Sequence, residues 1–326
     1  DTLFVTDDGG NTSFCTATVT VLDTIAPAAS CQSITVALDA SGAAMLTGVM
    51  FNNGSTDNCG TGTISYSVDI PNPTSIGTYA VVLTATDASG NSSTCSSTLT
   101  VIDTIAPVAM CQPDTVYLDA NGIAGITASD IDGGSTDNGA IVSQTASRTS
   151  FDCSNLGGNA VTLTVTDAAG NIDSCTTTVT VLDTISPTVT CQSVSVQLDS
   201  TGTATFTPLM LDNGSTDNCG AGPLTYTTSD SSFTNVGSYT VVLNVTDASG
   251  NSSSCSATVT VNDTIAPVAT CKPDTIYLDN SGDASINPSD VNGGSTDNGT
   301  IVSYNASQTA FDCSNLGGNT VTLTVT

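Results

Sequence analysis

The sequence contains no histidine, no tryptophan and no glutamate, and only two basic residues, Arg148 and Lys272. Each absence removes a class of function. Without histidine the commonest general base, proton shuttle and zinc ligand is missing. Two cations cannot neutralise the phosphates that a nucleic-acid interface contacts. Nor can they form a polybasic patch for an anionic membrane surface. Aromatic residues make up 4% of the chain, which leaves few stacking platforms for sugars. No apolar run approaches the ~18 residues of a membrane-spanning helix, so no membrane insertion is expected of this segment. The first residues carry no signal-peptide pattern.

What remains is an acidic chain built for strands. Thirty of the 326 residues are acidic, all of them Asp, and the formal net charge is −28. Charge of that size can mark a disordered tail. Here only 10% of residues are charged while 38% are hydrophobic, and Val, Ile, Leu, Ala and Thr dominate, a strand-forming mixture. The chain is expected to fold as an all-β protein.

Self-similarity gives the organisation. Asp-Thr-Ile-(Ala/Ser)-Pro starts at Asp23, Asp103, Asp183 and Asp263, a period of 80. A longer period lies on top of it: Asp57-Asn58-Cys59-Gly60 returns at Asp217-Asn218-Cys219-Gly220, and Phe151–Asn159 returns at Phe311–Asn319, both 160 residues on. The expectation is a tandem array with an 80-residue repeat and a 160-residue A-B super-repeat. Residues 23–102 and 183–262 are type A. Residues 103–182 are type B, 263–326 are a truncated B, and 1–22 align with the last quarter of a B repeat, 161–182. Such a hairpin cannot bury its own apolar face, so 1–326 reads as a window of a longer chain.

Within a repeat, short alternating segments are separated by Gly, Asn, Asp and Ser turns, the spacing of a β-sandwich. In the first A repeat Val81, Leu83 and Ala85 alternate with Val82, Thr84 and Thr86. After the turn Asp87–Asn91, Leu99 and Val101 alternate with Thr98 and Thr100. Earlier strands are expected near Ser33–Leu38, Ala43–Phe51 and Ile64–Asp69, and no segment has a helical period. Eighty residues bury only a modest core, so a cross-link or a metal would help.

These residues carry a resemblance. Asp-Asn-Cys, then Val161–Cys175 with its Thr-Asp-Ala-Ala-Gly-Asn hairpin, then Val181–Cys191 resembles the hyalin-repeat (HYR) family. More narrowly, it is similar to the tandem HYR-like repeats of large Bacteroidetes surface adhesins and filaments. The resemblance covers the whole chain. It implies immunoglobulin-like β-sandwich modules in an extracellular, cell-surface structural or adhesive protein, with no catalytic residues to carry over.

Twelve cysteines in small extracellular modules without His read as disulfides, not metal or redox sites. In an immunoglobulin-like sandwich the first and last strands run alongside in parallel. That pairs Cys31 with Cys95, Cys111 with Cys175 and Cys191 with Cys255. The third cysteine of each repeat depends on its type. A repeats place it in a loop at the N-terminal end of the module (Cys59, Cys219), where B repeats have Gly139 and Gly299. B repeats place it at the C-terminal end (Cys153, Cys313), where A repeats have Pro73 and Phe233. A B-to-A junction therefore has cysteine on both sides and an A-to-B junction on neither, the pattern of an inter-repeat bridge Cys153–Cys219. By the same rule Cys15, Cys59, Cys271 and Cys313 bond outside the window.

The acidic loops raise a parallel question. The sandwich brings three Asp-bearing segments to the N-terminal end of each module: for 103–182, Asp103, Asp137 with Asn138, and Asp167 with Asn171. Asp39 of the preceding repeat would face them. Oxygen donors without His or thiolate suit Ca2+. Asp and Asn also simply favour tight turns, and the sequence alone leaves both readings open. No organic cofactor is expected.

Other chemistries fare poorly. No Ser/His or Ser/Lys pair can be built for nucleophilic catalysis. Asp130 and Asp132 are close in sequence, but A repeats lack the pair and a solvated loop explains it. Thr104 and Thr115, in Asp-Thr-Ile and Asp-Thr-Val, resemble the Asp-Ser/Thr-aliphatic O-glycosylation sites of Bacteroidetes. The expected function is a disulfide-stiffened structural region of a bacterial surface filament or adhesin stalk. Its partners are neighbouring repeats of the same or an identical chain, head to tail. Repeats that themselves bind glycans or proteins, or spacers of a secreted enzyme, are the alternatives.

Overall fold

The computed structural model describes residues 1–60, 63–220 and 222–326. The chain divides into two compact units. The first holds Asp1–Val116, Gly125–Ser150 and Gly158–Thr180; the second holds Tyr117–Ala124, Phe151–Gly157 and Val181–Thr326.

The first unit begins with a hairpin of β1 (Thr2–Thr6) and β2 (Thr12–Thr16), exposed on both faces. Its turn is closed by Asp7, whose Oδ1 accepts from the Asn11 backbone N–H at 2.8 Å. The next strands are β3 (Ile34–Ala37), β4 (Ser65–Val68), β5 (Gly77–Thr86) and β6 (Ser92–Ile102), in sheet order β3-β6-β5-β4. β3 and β6, first and last in the repeat, run parallel with Ile34 opposite Leu99. The alternation decides the faces: Val81, Leu83, Ala85 and Leu99 are fully buried, while the intervening Thr and Ser face outward. Phe51 and Ala44 close the core from the other side. Fully burying a side chain such as Leu83 contributes roughly 1.5–3 kcal/mol.

Ala43–Phe51 departs from the strand expected of it and ends in a helical turn, α1 (Gly48–Phe51). Gly48 lets the turn lie against the Tyr66 backbone, where a Cβ would collide at 2.5 Å. Phe51 then enters the core from a turn and not from a pleat.

In the following repeat the strands are β7 (Asp114–Tyr117), β8 (Ile123–Gly125), β9 (Ile141–Ala146), β10 (Ser150–Asp152), β11 (Gly157–Asp167) and β12 (Ile172–Leu182). They form the sheets β7-β12-β11-β9 and β10-β8. The boundary between the two units runs through this repeat.

The second unit contains β13 (Val194–Gln197), β14 (Ala204–Thr205), β15 (Thr225–Thr228), β16 (Ser232–Phe233), β17 (Gly237–Thr246) and β18 (Ser252–Asn262). The order β13-β18-β17-β15 faces the small pair β14-β16 across one core. Phe233 stacks between Phe206 and Tyr239, with centroids at 5.9 and 3.9 Å. This is an immunoglobulin-like sandwich, and the chain is all-β in architecture. Residues 263–326 keep only two-stranded pairs, β19 (Asp283–Ser285) with β21 (Ala310–Asp312) and β20 (Tyr304–Ala306) with β22 (Leu323–Val325).

Candidate functional site: the joints between repeats

One joint is built three times. In the turn after β3, Asp39 folds its carboxylate onto its own loop, with Oδ1 accepting from the N–H groups of Ser41 (2.8 Å) and Ala43 (3.1 Å). Its carbonyl accepts the Gly42 N–H at 2.9 Å, closing the turn, and also accepts from Asn138 Nδ2 at 3.1 Å, while that amide donates to Asp103 Oδ1 at 3.3 Å. Asn218 does the same to the Asp119 carbonyl and Asp183 Oδ1, both at 3.2 Å. Asn298 does it to the Asp199 carbonyl (3.1 Å) and Asp263 Oδ1 (3.2 Å). Of the expected ligand set, Asp39 thus reaches the joint through its main chain.

The sequence reading missed the glycines. Gly42, Gly122 and Gly202 close the Asp-led turns with φ between +73° and +79°. Each lies against the carbonyl of the Asn that crosses the joint; a Cβ on Gly122 would come within 2.8 Å of the Asn218 oxygen and 2.7 Å of Cys153 Sγ. Their spacing of 80 residues was the available signal, but it resembled ordinary turn chemistry.

Beneath the first joint, one carboxylate oxygen from each of Asp103, Asp137 and Asp167 lies within 4.8 Å of the other two. Asp103 and Asp167 are buried, 8% and 1% exposed. Asp103 Oδ1 accepts from the Ile105 N–H at 3.0 Å. Burial works against the Asp167 carboxylate, but hydrogen bonds from the Asn171 side chain and backbone, then Gly170 and Ala169, outweigh it and hold its pKa below the ordinary value. Asn171 also ties the hairpin to the linker, donating to the carbonyls of Asp103 and Ile105 at 3.3 Å.

Asp137 Oδ2 accepts from the Gly139 N–H at 2.9 Å. By contrast, Asp137 Oδ1 and Asn138 Oδ1 are sealed from solvent without a hydrogen-bond partner, and the same holds for Asp217 with Asn218 and Asp297 with Asn298. Buried acceptors without donors are costly. Three hard carboxylates with two such orphan oxygens fit a Ca2+-type cation by donor chemistry.

The A-type versions differ. At the equivalent place in 23–102 stand Asp23, Asp57 and Cys59, and in 183–262 Asp183, Asp217 and Cys219. The Cys59 thiol donates to Asp23, which lowers the carboxyl pKa and raises the thiol.

Cys219 is bonded to Cys153 with Cα atoms 5.5 Å apart, a separation at which a disulfide fits. The other bonded pairs are Cys31–Cys95, Cys111–Cys175 and Cys191–Cys255, with Cα separations of 6.1, 5.9 and 6.0 Å. Cys15, Cys59, Cys271 and Cys313 are unbonded and exposed. Thr104 and Thr115 are exposed. Asp130 caps a short 3-10 turn by accepting from the Thr127 N–H at 2.7 Å, and Asp132 accepts from the Ser135 N–H at 2.9 Å, so both have local structural duties.

Fold and joints together define a tandem of disulfide-bonded immunoglobulin-like repeats. Residues 182–261 match the HYR domain family. Over 214 residues the chain is 35% identical to Hyalin of Strongylocentrotus purpuratus, which covers 61% of this chain and 17% of that protein. The chain thus spans about a sixth of the length of that relative. Among solved structures, the I-band fragment I67-I69 from titin is similar at 14% identity and a TM-score of 0.33, covering 73% of this chain and 99% of that one. Drosophila N-cadherin EC1-4 is similar at 12% identity and a TM-score of 0.29, covering 71% and 73%.

Proposed function

We propose that the chain is a structural repeat region of an extracellular adhesive protein at a cell surface, of the kind found in bacterial filaments and adhesin stalks, and that it is not an enzyme. The folding modules on this reading are 23–102, 103–182, 183–262 and 263–326, with 1–22 belonging to a preceding B repeat. The observation that carries it is the recurring joint, in which an Asn, a main-chain carbonyl and a glycine meet in the same way at 80-residue intervals. A chain that invests its most regular contacts between repeats is built to transmit load along repeats. Its working partners are neighbouring repeats, head to tail. High negative charge keeps such an array soluble.

Calcium belongs to this proposal. Asp103, Asp137 and Asp167 supply carboxylates, the Asn138 oxygen supplies a further donor, and Asn171 and the Asp39 turn hold them in place. A bound cation would offset the repulsion of the three carboxylates and give the orphan oxygens a partner. Thr104 and Thr115 are available to a glycosyltransferase.

The test is a glycan and matrix-protein array on the chain, run beside single-molecule pulling. Stepwise unfolding of repeats with no specific ligand supports the structural reading. Specific tight binding by the repeats would replace it with the ligand-binding alternative.

A further inference from the structure

We propose that the joint between 23–102 and 103–182 receives a lysine side chain of a basic partner protein, with Asp103 as its counter-ion. A cavity of about 370 Å³ opens at this joint, lined by Leu38, Ser75, Ile76, Asp103, Gly139 and Ala169 among others. All six belong to the first unit.

The two kinds of joint differ around one carboxylate oxygen. At the B-to-A joint, Asp183 Oδ2 accepts from the Ser249 hydroxyl at 3.5 Å. Cys219 lies within 4.8 Å of the Asp183 and Asp217 carboxylates and is bonded to Cys153. At the A-to-B joint, 80 residues earlier, Ala169 replaces Ser249, Gly139 replaces Cys219 and Pro73 replaces Cys153. Both the hydroxyl donor and the disulfide are gone, and the cavity is what their loss leaves.

Gly139 is not demanded by the backbone. Its φ is not positive, and a cysteine occupies the same place at the other joint. Its effect is to keep the carboxylate uncovered, because a Cβ there would lie 3.0 Å from Asp103 Oδ2 and 3.2 Å from Asp137 Oδ2. Gly299 repeats the arrangement 160 residues on, where a Cβ would collide with Asp263 Oδ2.

These features select the ligand. Asp103 Oδ1 already accepts from the Ile105 N–H and from Asn138 Nδ2, so Oδ2 faces the cavity as a single acceptor. That suits the point charge of an ammonium better than a bidentate guanidinium. Leu38, Ile76 and Ala169 offer apolar surface to the methylene stem of a lysine, which buries its stem while its head keeps a polar partner. Asp103 is 8% exposed, so the pair forms partly shielded from water. The chain itself is a poor source of the lysine: it has two basic residues against 30 acidic ones and a net charge of −28. Copies repel one another, while the same field steers a basic protein toward the joint. Each contact is weak, and a partner with several lysines gains by engaging several joints at once. Such lateral ties go beyond the load-bearing reading and do not depend on a bound cation.

The experiment uses the isotope-labelled 326-residue chain in EDTA, so that no Ca2+ competes for Asp103. The probe is the peptide acetyl-Gly-Ser-Lys-Ser-Gly-amide, with a norleucine version as the neutral control and n-butylamine as the free amine. The lysine peptide should shift the backbone amides of Ser41, Gly139 and Ala169 saturably and leave Gly122 and Gly220 at the B-to-A joint unmoved. The norleucine peptide and n-butylamine should each bind at least about tenfold more weakly. Ala169→Phe fills the cavity from the hairpin and leaves Asp103 in place, whereas Asp103→Asn removes the charge and keeps an acceptor for Ile105. Each should weaken the lysine peptide at least about tenfold, with the circular dichroism of the chain unchanged. Shifts spread evenly over the acidic turns of both kinds of joint would reduce the effect to charge screening and overturn the proposal. Equal binding of the norleucine peptide overturns the basic ligand, and equal binding of n-butylamine overturns a protein as its source.

Discussion

The side-chain amide of Asn138 donates to the carbonyl of Asp39, ninety-nine residues earlier in the chain. The bond joins the end of one repeat's first turn to the N-terminal loop of the next, and Gly42 makes room for it. Gly42→Ala forces a left-handed φ on a side chain and presses a methyl into the Asn138 carbonyl. We expect a loss of about 1–3 kcal/mol from these two effects. Gly54→Ala is the control: its φ is +77° too, but nothing lies within 4 Å. Denaturant unfolding followed by hydrogen exchange at Asn138 should show the joint opening in the first variant and not in the second.

The Cys153–Cys219 bridge closes a sequence separation of 66 residues, worth about 4 kcal/mol on the chain-entropy account. Cys153→Ser with Cys219→Ser should lower the melting of the second unit by that order. Pulling experiments give a cleaner readout. Each intra-repeat bridge hides a 64-residue loop, so reduction should lengthen the unfolded chain by about 220 Å per loop at ~3.5 Å per residue. Stiffness at the joints should alternate with a period of 160 residues, because the A-to-B joint lacks the covalent tie.

Strand positions and buried faces were readable because period-2 alternation and Gly-Asn turns are local signals: Val81, Leu83, Leu99 and Val101 sit inside and Thr98 and Thr100 outside. Parallel pairing of β3 with β6 follows from the sandwich class. The segment Ala43–Phe51 was not readable, because its apolar residues end in a helical turn set by the close approach of Gly48 to Tyr66, a tertiary contact. The joint was half readable. Side-chain chemistry marked Asp103, Asp137, Asn138 and Asp167, but the part played by the Asp39 carbonyl and by Gly42 belongs to the main chain, where sequence carries little signal.

Asp167 gives a pH test. Its carboxyl is held below the ordinary value near 3.8 by the Asn171, Gly170 and Ala169 hydrogen bonds, against burial. A depressed folded pKa stabilises fully above the unfolded value and is lost as pH falls through the folded one. Asp167→Asn should therefore melt below wild type at pH 7. The gap should shrink as pH falls below about 4 and close at the acid end. A gap that stays constant with pH would assign the effect to packing.

Three carboxylates drawn together beneath the Asn138 joint repel one another, and Asp137 Oδ1 and Asn138 Oδ1 are buried without donors. A Ca2+ ion would relieve both costs, and stabilisation by a ligand that binds only the folded state grows as RT ln(1 + [L]/Kd), about 2.7 kcal/mol at a hundredfold excess over Kd. EDTA should therefore lower the melting temperature of the chain and Ca2+ should restore it, while Mg2+, which demands tighter octahedral geometry, should restore less. Asp137→Asn should remove the calcium response while leaving the Cys111–Cys175 bridge and the core intact. Isothermal titration should then register the loss of a site. Melting that ignores both EDTA and Ca2+ would leave the acidic loops as turn chemistry, with the orphan oxygens met by water.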